Sequence, residues 1–162
     1  MSQEQYLTFL IGREEYAVGI LRVKEIMEYT AVTRVPGVPA HVRGVINLRG
    51  SVVPVVDLAA KFGGTETEPT RTSCIVIVET HLDGAMVVAG MMADAVCEVI
   101  HLDAQQIEPP PSFGSSIRVD FLTGMGKLDG RLALILDIDR VLSPVELQQT
   151  LDAAEEAAPV AV

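Results

Sequence analysis

The side chains that could carry out chemistry in this sequence are few and widely separated. The three histidines, His41, His81 and His101, stand in separate segments without the spacing of metal ligands. Cys97 lies in an apolar strand pattern with no basic residue nearby, which predicts a buried thiol rather than a nucleophile. The Gly-Lys pair in "GMGKLDG" (124–130) lacks the upstream glycine and the following Ser or Thr of a phosphate-binding loop. These patterns favour a binding module over an enzyme, and they predict no catalytic residue, metal or cofactor.

One polar residue is harder to explain by folding alone. Arg49 precedes Gly50 at the expected turn of a hairpin, in "GVINLRGSVVPVVDL" (44–58). Gly50 suits a turn that requires positive φ, whereas arginine is not a usual turn residue. Arg49 is therefore a candidate for recognition by a partner. The alternatives are a local salt bridge, for example to Glu25 or Asp57, and a solvated side chain.

Composition limits the fold and the possible partners. The chain has 162 residues, enough for one domain or two very small ones, and 49% of them are hydrophobic. Only 4% are aromatic, so the core must be aliphatic. The net charge of −10 argues against binding to nucleic acid or to an anionic membrane surface. We find neither a signal peptide nor an apolar run of spanning length, so we expect a cytoplasmic protein, not inserted in the membrane, with Cys74 and Cys97 reduced and packed.

The hydrophobic pattern predicts mainly short strands joined by turns. Residues 6–11 and 16–20 should form one hairpin and residues 44–56 another, and further strand patterns occupy 73–79, 85–91 and 120–138. Residues 31–35 are a strand candidate, and residues 94–102 fit either a strand or a helix.

Four segments are predicted to be helical, and one of them is the short stretch "DIDRVL" (137–142). Val23, Ile26 and Met27 recur at i, i+3 and i+4, which predicts a short amphipathic helix in "LRVKEIME". Asp57 is placed to cap a second short helix. Pro144 suits the first turn of a terminal helix, and we expect residues 144–162 to form this C-terminal helix and a tail.

An internal repeat is the most informative pattern. A shift of 80 positions places Gly44 on Gly124 and Asp57 on Asp137, with apolar residues on apolar residues between them. An earlier, weaker match aligns "GREEYAVGI…EIM" with "HLDGAMVVAGM…EVI". Two copies of one module with about five short strands each suggest two small closed barrels, since closure removes exposed sheet edges. The same shift places Arg49 on Asp129, so the turn itself does not require arginine.

The repeat gives approximate subdomain ranges. We expect a single domain with residues 16–66 in a first barrel and residues 73–143 in a second, which residues 5–15 could join by crossing over. A groove between two small barrels is a common place for a binding site.

Three stretches resemble the CheW family, the coupling proteins of bacterial chemotaxis. They are "EEYAVGILRVKEIMEY", "VTRVPGVPAHVRGVINLRGSVVPVVDLAAKF" and "FLTGMGKLDGRLALILDIDRVL", and the resemblance covers about residues 5–144. It implies a mainly β fold of two five-stranded SH3-like barrels with short helices and a C-terminal helix. It also implies a non-enzymatic scaffold in the cytoplasm, at receptor arrays under the inner membrane.

The resemblance implies partners and contact residues as well. Such proteins connect the cytoplasmic tips of methyl-accepting chemoreceptors to the regulatory domain of the histidine kinase CheA, with receptor helices in or near the groove between the barrels. Val23, Glu25, Gly44 and Arg49 match family positions linked to receptor or array contacts. Kinase contacts are assigned only to exposed apolar residues at the barrel ends. A coupling role in another kinase pathway, such as surface motility, remains an alternative, and a small enzyme with a site in the groove is a third.

Overall fold

A computed structural model describes residues 4–110 and 120–157, and the chain is mainly β, as the sequence predicts. The segment "PSFGSSIRV" (111–119) and the tail 158–162 lie outside the described residues. The strands are β1 Glu4–Ile11, β2 Glu14–Gly19, β3 Val23–Glu28, β4 Val42–Leu48, β5 Ser51–Val56, β6 Cys74–Leu82, β7 Ala85–Ala93, β8 Ala95–Leu102, β9 Ile107–Glu108, β10 Leu122–Leu128 and β11 Arg131–Leu136. The helices are α1 Leu58–Lys61, α2 Ile138–Val141 and α3 Pro144–Ala157, with 3-10 turns at Ile20–Arg22 and Ala104–Gln106.

The strands form two sheets, each the wall of one small barrel. Sheet A has the order β8-β1-β2-β11-β10-β9 and sheet B has the order β3-β6-β7-β5-β4. The first hairpin of each sequence copy, β1-β2 or β6-β7, thus lies beside the second hairpin of the other copy. Short parallel pairings join them, β11 to β2 in sheet A and β5 to β7 in sheet B. The two copies have exchanged hairpins.

This exchange differs from the subdomain ranges expected from the sequence. Strands β6 and β7, placed in the second barrel by the range 73–143, belong to sheet B with β3, β4 and β5. Strand β2 belongs to sheet A, although the range 16–66 assigned most of it to the first barrel. The sequence pattern locates strands, but the partner of a strand depends on contacts between distant residues, which no local pattern records.

The two copies of the repeat share their backbone geometry. Gly44 lies opposite Val55 next to an irregularity in the register of β4, and Gly124 lies opposite Ile135 next to the same irregularity in β10. Asp57 caps α1 by accepting a hydrogen bond from the Ala60 amide at 3.3 Å, as predicted. Its counterpart Asp137 caps α2.

In the described ranges of the chain, three apolar clusters make up the core. One fills the barrel of sheet A and another the barrel of sheet B. The largest lies between the barrels and combines Leu7 and Phe9 of sheet A with Val76 and Val78 of sheet B. Adjacent residues of β6 therefore point into different clusters, which explains the uninterrupted apolar run "CIVIV". This largest cluster fills the centre of the space between the two barrels.

Three predictions about local structure are wrong. Residues Val23–Glu28 form strand β3 rather than a helix, and β3 pairs with β6. Within residues 31–35, only an isolated bridge from Thr33 to Val45 forms. Cys97 is exposed, because it lies at an irregularity where β8 pairs with β1, between Glu98 opposite Thr8 and Val96 opposite Phe9.

Helix α3 begins at Pro144, as predicted, and is fixed to sheet B. The Ser143 hydroxyl accepts a hydrogen bond from the Glu146 amide at 3.3 Å and so caps the helix. Leu147 is 1% exposed and packs in the core between the barrels. The Glu146 carboxylate lies 3.0 Å from His41 Nε2 in the loop before β4. The first two turns of α3 are therefore held by packing and by polar contacts.

Candidate partner-binding groove

The turn between β4 and β5 presents Arg49 to solvent. Arg49 and Gly50 have φ values of +51° and +89°, the sign pattern of the tight turn that suits a twisted hairpin. The Asn47 side chain accepts a hydrogen bond from the Gly50 amide at 2.9 Å and stabilises the turn. A left-handed conformation is uncommon for arginine, and the side chain is 71% exposed. The fold thus holds this guanidinium at the tip of a hairpin.

Arg49 forms an ion pair with Glu25 of β3. Its Nη1 lies 3.4 Å from Glu25 Oε1, and its Nη2 donates a shorter hydrogen bond to Oε2. This hydrogen bond lowers the pKa of the Glu25 carboxyl and raises that of the guanidinium. Of the two salt bridges considered from the sequence, the one to Glu25 forms, whereas Asp57 is 1% exposed and accepts hydrogen bonds from Thr67. Because exposed ion pairs contribute little to stability, the pair does not explain why arginine occupies the turn.

The ion pair lies at the edge of a cavity of about 320 Å³, which we call the barrel-end groove. Strand β3, the β4–β5 hairpin, β6, β7 and helix α3 contribute its walls. Leu48, Val53 and Ile77 supply apolar surface from the barrel interior. Val52 and Met86 also line it and are 47% and 53% exposed, so large apolar side chains remain open to solvent here. Such surface beside charged residues is typical of protein-binding sites.

The charges of the groove differ from those of the whole molecule. Its lining includes Lys24, Glu25 and Arg49, two cationic groups and one carboxylate. The chain as a whole carries a net charge of −10. The lining of the groove thus has more cationic than anionic side chains, which favours an acidic partner residue there.

The structure brings together two of the four residues predicted to contact receptors. Glu25 and Arg49 meet at the groove, while Val23 and Gly44 are not among its lining residues. Val23 lies on the same strand as Glu25, is half-buried and packs against the core between the barrels. Gly44 is buried, and a Cβ atom at this position would lie 2.1 Å from the Thr33 carbonyl oxygen. The close approach of this backbone accounts for the glycine.

The second barrel contains a related ion pair with a different arrangement. Its hairpin turn carries Asp129 in place of arginine, and the arginine follows the turn as Arg131. Arg131 donates hydrogen bonds to Glu15 and Glu98, both at 2.7 Å. The Glu15 side chain is only 10% exposed, and its Oε2 atom has no hydrogen-bond partner among the residues that the structure describes. Arg131 thus neutralises a buried carboxylate, whereas Arg49 pairs with a more exposed one.

Sequence reasoning missed several residues of the groove. Val52 and Met86 are exposed, but they lie in continuous apolar runs on strands that the sequence predicted, so no alternation distinguishes them from buried neighbours. Gln148 and Leu151 come from α3, and no sequence signal places that helix beside the β4–β5 hairpin. In the described ranges 4–110 and 120–157, no helix is long and apolar enough to cross a membrane.

Comparison with known proteins places this geometry in a family. The family model for the CheW-like domain matches residues 5–146. The chemotaxis protein CheW of Klebsiella aerogenes is 36% identical over 144 residues, which cover 89% of this chain and 84% of that protein. The protein PilI of Pseudomonas aeruginosa is 35% identical over 105 residues, covering 64% of this chain and 57% of PilI. The crystal structure of the scaffolding protein TtCheW from Thermoanaerobacter tengcongensis matches with a TM-score of 0.77 at 33% identity, covering 88% of this chain and 94% of that one. With its two SH3-like barrels, this chain belongs to the CheW family.

Proposed function

We propose that this chain is a non-enzymatic chemotaxis adaptor that couples the cytoplasmic tips of chemoreceptors to the histidine kinase CheA. It works in the cytoplasm, at receptor arrays under the inner membrane. By holding the kinase at the receptor tip in a fixed geometry, it lets receptor signals change the populations of active and inactive kinase. Membership in the CheW family and the exposed Arg49–Glu25 pair beside an apolar groove support this function.

The exposed arginine at the barrel-end groove is the observation that carries the proposal. Arg49 is fixed on a tight turn, is 71% exposed and keeps guanidinium donors available beyond those bonded to Glu25. A partner carboxylate can join this pair with little rearrangement, and the local excess of positive charge favours it. Glu25 holds the guanidinium in place, so the pair supplies orientation while the apolar wall supplies affinity.

A receptor helix has suitable chemistry for this groove. An amphipathic helix can insert apolar side chains against Leu48, Val52 and Met86. An acidic residue beside that apolar stripe would then reach Arg49. We assign receptor contacts to Glu25 and Arg49 directly, and we propose that Val23 and Gly44 act by shaping the strands that carry them.

Kinase contacts are proposed for exposed apolar residues of the other barrel. Val99 on β8 and Leu132 on β11 belong to sheet A, and their exposures are 46% and 48%. Separate surfaces for receptor and kinase are required if one chain is to hold both at once.

Co-sedimentation tests the coupling function. The chain would be mixed with membrane-anchored or clustered chemoreceptor cytoplasmic fragments, with and without the purified regulatory domain of CheA. We expect the chain to sediment with the receptor and to bring the kinase domain with it, whereas the kinase domain alone should sediment less. If the chain joins neither partner, the proposed function is wrong. If it joins the receptor but recruits no kinase domain, the adaptor role fails and only receptor binding remains.

A coupling role in a pathway other than chemotaxis is the second candidate. The relative PilI is not named as a chemotaxis protein, and its match covers 64% of this chain, against 89% for the chemotaxis protein of Klebsiella aerogenes. Deletion of the gene should abolish swimming chemotaxis on soft agar and leave surface motility intact if the first proposal holds. The opposite pattern would favour the second.

A further inference from the structure

We propose that helix α3 determines which receptors the groove binds. The helix forms one wall of the barrel-end groove, and the residues of that wall lie beyond the end of the family match. The match to the CheW-like domain ends at residue 146. Gln148 and Leu151 follow that point, and both line the same groove as Arg49. This inference rests on the proposed receptor-binding function, and it assigns the choice between receptors to residues outside the common domain.

The wall is held in a fixed position. Leu147 and Thr150 are 1% and 0% exposed, and they anchor one side of α3 against the protein. The Thr150 hydroxyl donates to the Glu146 carbonyl at 2.8 Å, so it is satisfied within the helix. Gln148 and Leu151 are three residues apart and therefore lie next to each other on the helix surface. With the inner side anchored, these two side chains face the groove.

The two groove residues differ in chemistry, which gives the wall its selectivity. Leu151 is half-buried and adds apolar surface, whereas Gln148 is exposed and donates a hydrogen bond to Asp152 at 3.1 Å. Lys24, Glu25 and Arg49 supply the charges of the groove.

The occupant that fits is an amphipathic helix. Its acidic residue lies near Arg49, and the residues of its apolar stripe that face α3 have a size and polarity matched to Leu151 and Gln148. Receptors that share the acidic residue but differ in the apolar stripe would therefore bind this chain with different affinities.

Two neighbouring glutamines provide a matched test. Gln148 lines the groove, while Gln149 is exposed on the same helix and is not among the lining residues. The affinities of wild type, Gln148→Lys, Gln149→Lys and Leu151→Ala would be measured by titration calorimetry. The probes are soluble cytoplasmic fragments of two chemoreceptors that differ in tip sequence. Circular dichroism melting would confirm that each variant is folded.

We expect Gln148→Lys and Leu151→Ala to change the ratio of the two affinities by at least about fivefold. Gln149→Lys should leave that ratio unchanged. Should Leu151→Ala fail to fold, the exposed Gln148 still allows the test. An unchanged ratio in Gln148→Lys, or an equal loss for both fragments, would overturn the selective role of α3.

Arg49→Ala, measured in parallel, separates failure of this inference from failure of the proposed function. If Arg49→Ala binds more weakly while the α3 variants keep the wild-type ratio, only the inference about α3 is wrong. If wild type binds neither fragment, or Arg49→Ala binds as tightly as wild type, receptor binding at this groove is wrong and the α3 proposal fails with it.

Discussion

At the scale of single residues, Arg131 and Arg49 each form an ion pair with a glutamate near a hairpin turn, but the two pairs have different roles. Arg131 compensates Glu15, whose side chain is 10% exposed, and links it to Glu98. Arg49 pairs with Glu25 but keeps 71% of its own side chain exposed. Removal of Arg131 leaves a buried carboxylate without a counter-charge, which is costly, whereas removal of Arg49 does not. The first arginine serves folding, and the second is available to a partner.

Gly44→Ala should destabilise the protein through the backbone. Gly44 has a φ of +147°, and the added Cβ would lie 2.1 Å from the Thr33 carbonyl oxygen. Backbone strain together with the steric overlap should lower the free energy of unfolding by more than about 2 kcal/mol. Urea denaturation followed by circular dichroism measures this change.

Gly50→Ala is the matched control for that substitution. Gly50 also has positive φ, +89°, but no atom of the described part of the chain lies within 4 Å of the added Cβ, so only the conformational cost of about 1 kcal/mol applies. Wild-type stability in Gly44→Ala, combined with weaker receptor binding, would contradict our account, because Gly44 would then contact the receptor rather than shape β4.

At the scale of elements, sequence patterns identified most strands and turns but misassigned β3. Val23, Ile26 and Met27 matched the helical spacing, yet Met27 packs in the barrel of sheet B while Ile26 is 44% exposed. The alternation of the strand was hidden because a charged residue, Glu25, takes a half-buried position and an apolar residue takes an exposed one. Glu25 can do so because it lies at the barrel end, where Arg49 reaches it.

The sequence predicted only those parts of the candidate site that depend on residues within one hairpin or on simple charge pairing. The Arg49-Gly50 turn and its possible salt bridge to Glu25 follow from hairpin chemistry and charge, and the structure contains both. The walls of the groove from β7 and α3 could not be foreseen, since they depend on the hairpin exchange and on the docking of a helix. Distant pairings of this kind leave no local periodicity in the sequence.

Leu147→Ala tests whether α3 is an integral element. Leu147 is 1% exposed in the core between the barrels, so its truncation should lower the free energy of unfolding by about 2–4 kcal/mol. Val145→Ala, two residues earlier and 53% exposed, should change it by less than about 0.5 kcal/mol. Urea denaturation of both variants gives the comparison. Equal, small effects would mean that α3 is not packed as described and would remove the basis for its role in the groove.

At the scale of the whole molecule, the hairpin exchange makes the two barrels interdependent. Each sheet contains strands from both sequence copies, and the largest apolar cluster lies between the sheets. A row of stacked or tilted rings, Phe9, Tyr16, Phe62 and Phe121, also crosses this core with centroid separations of 5.7–6.3 Å. Neither barrel can be completed without strands from both copies.

The protein should therefore unfold in one cooperative transition. Calorimetric and van't Hoff enthalpies should agree, and urea curves from far-ultraviolet circular dichroism and from tyrosine fluorescence should coincide. A fragment of residues 73–162 should be unfolded alone, since it lacks β3, β4 and β5 of sheet B and β1 and β2 of sheet A. Two resolved transitions, or a fragment with native-like dispersion in its NMR spectrum, would contradict the interdependence of the barrels.

The central claim is that the fold displays Arg49 for a receptor, and one paired measurement tests it most directly. The affinity of wild type and Arg49→Ala for a chemoreceptor cytoplasmic fragment would be measured by calorimetry, with urea denaturation of the same samples and Arg131→Ala as the comparison arginine. We predict that Arg49→Ala weakens binding by more than about 1 kcal/mol with little change in stability, as expected of a binding hot spot. Arg131→Ala should lose stability and retain receptor binding at temperatures where it is folded. Wild-type affinity in Arg49→Ala, or a loss of affinity explained by unfolding, would contradict the claim.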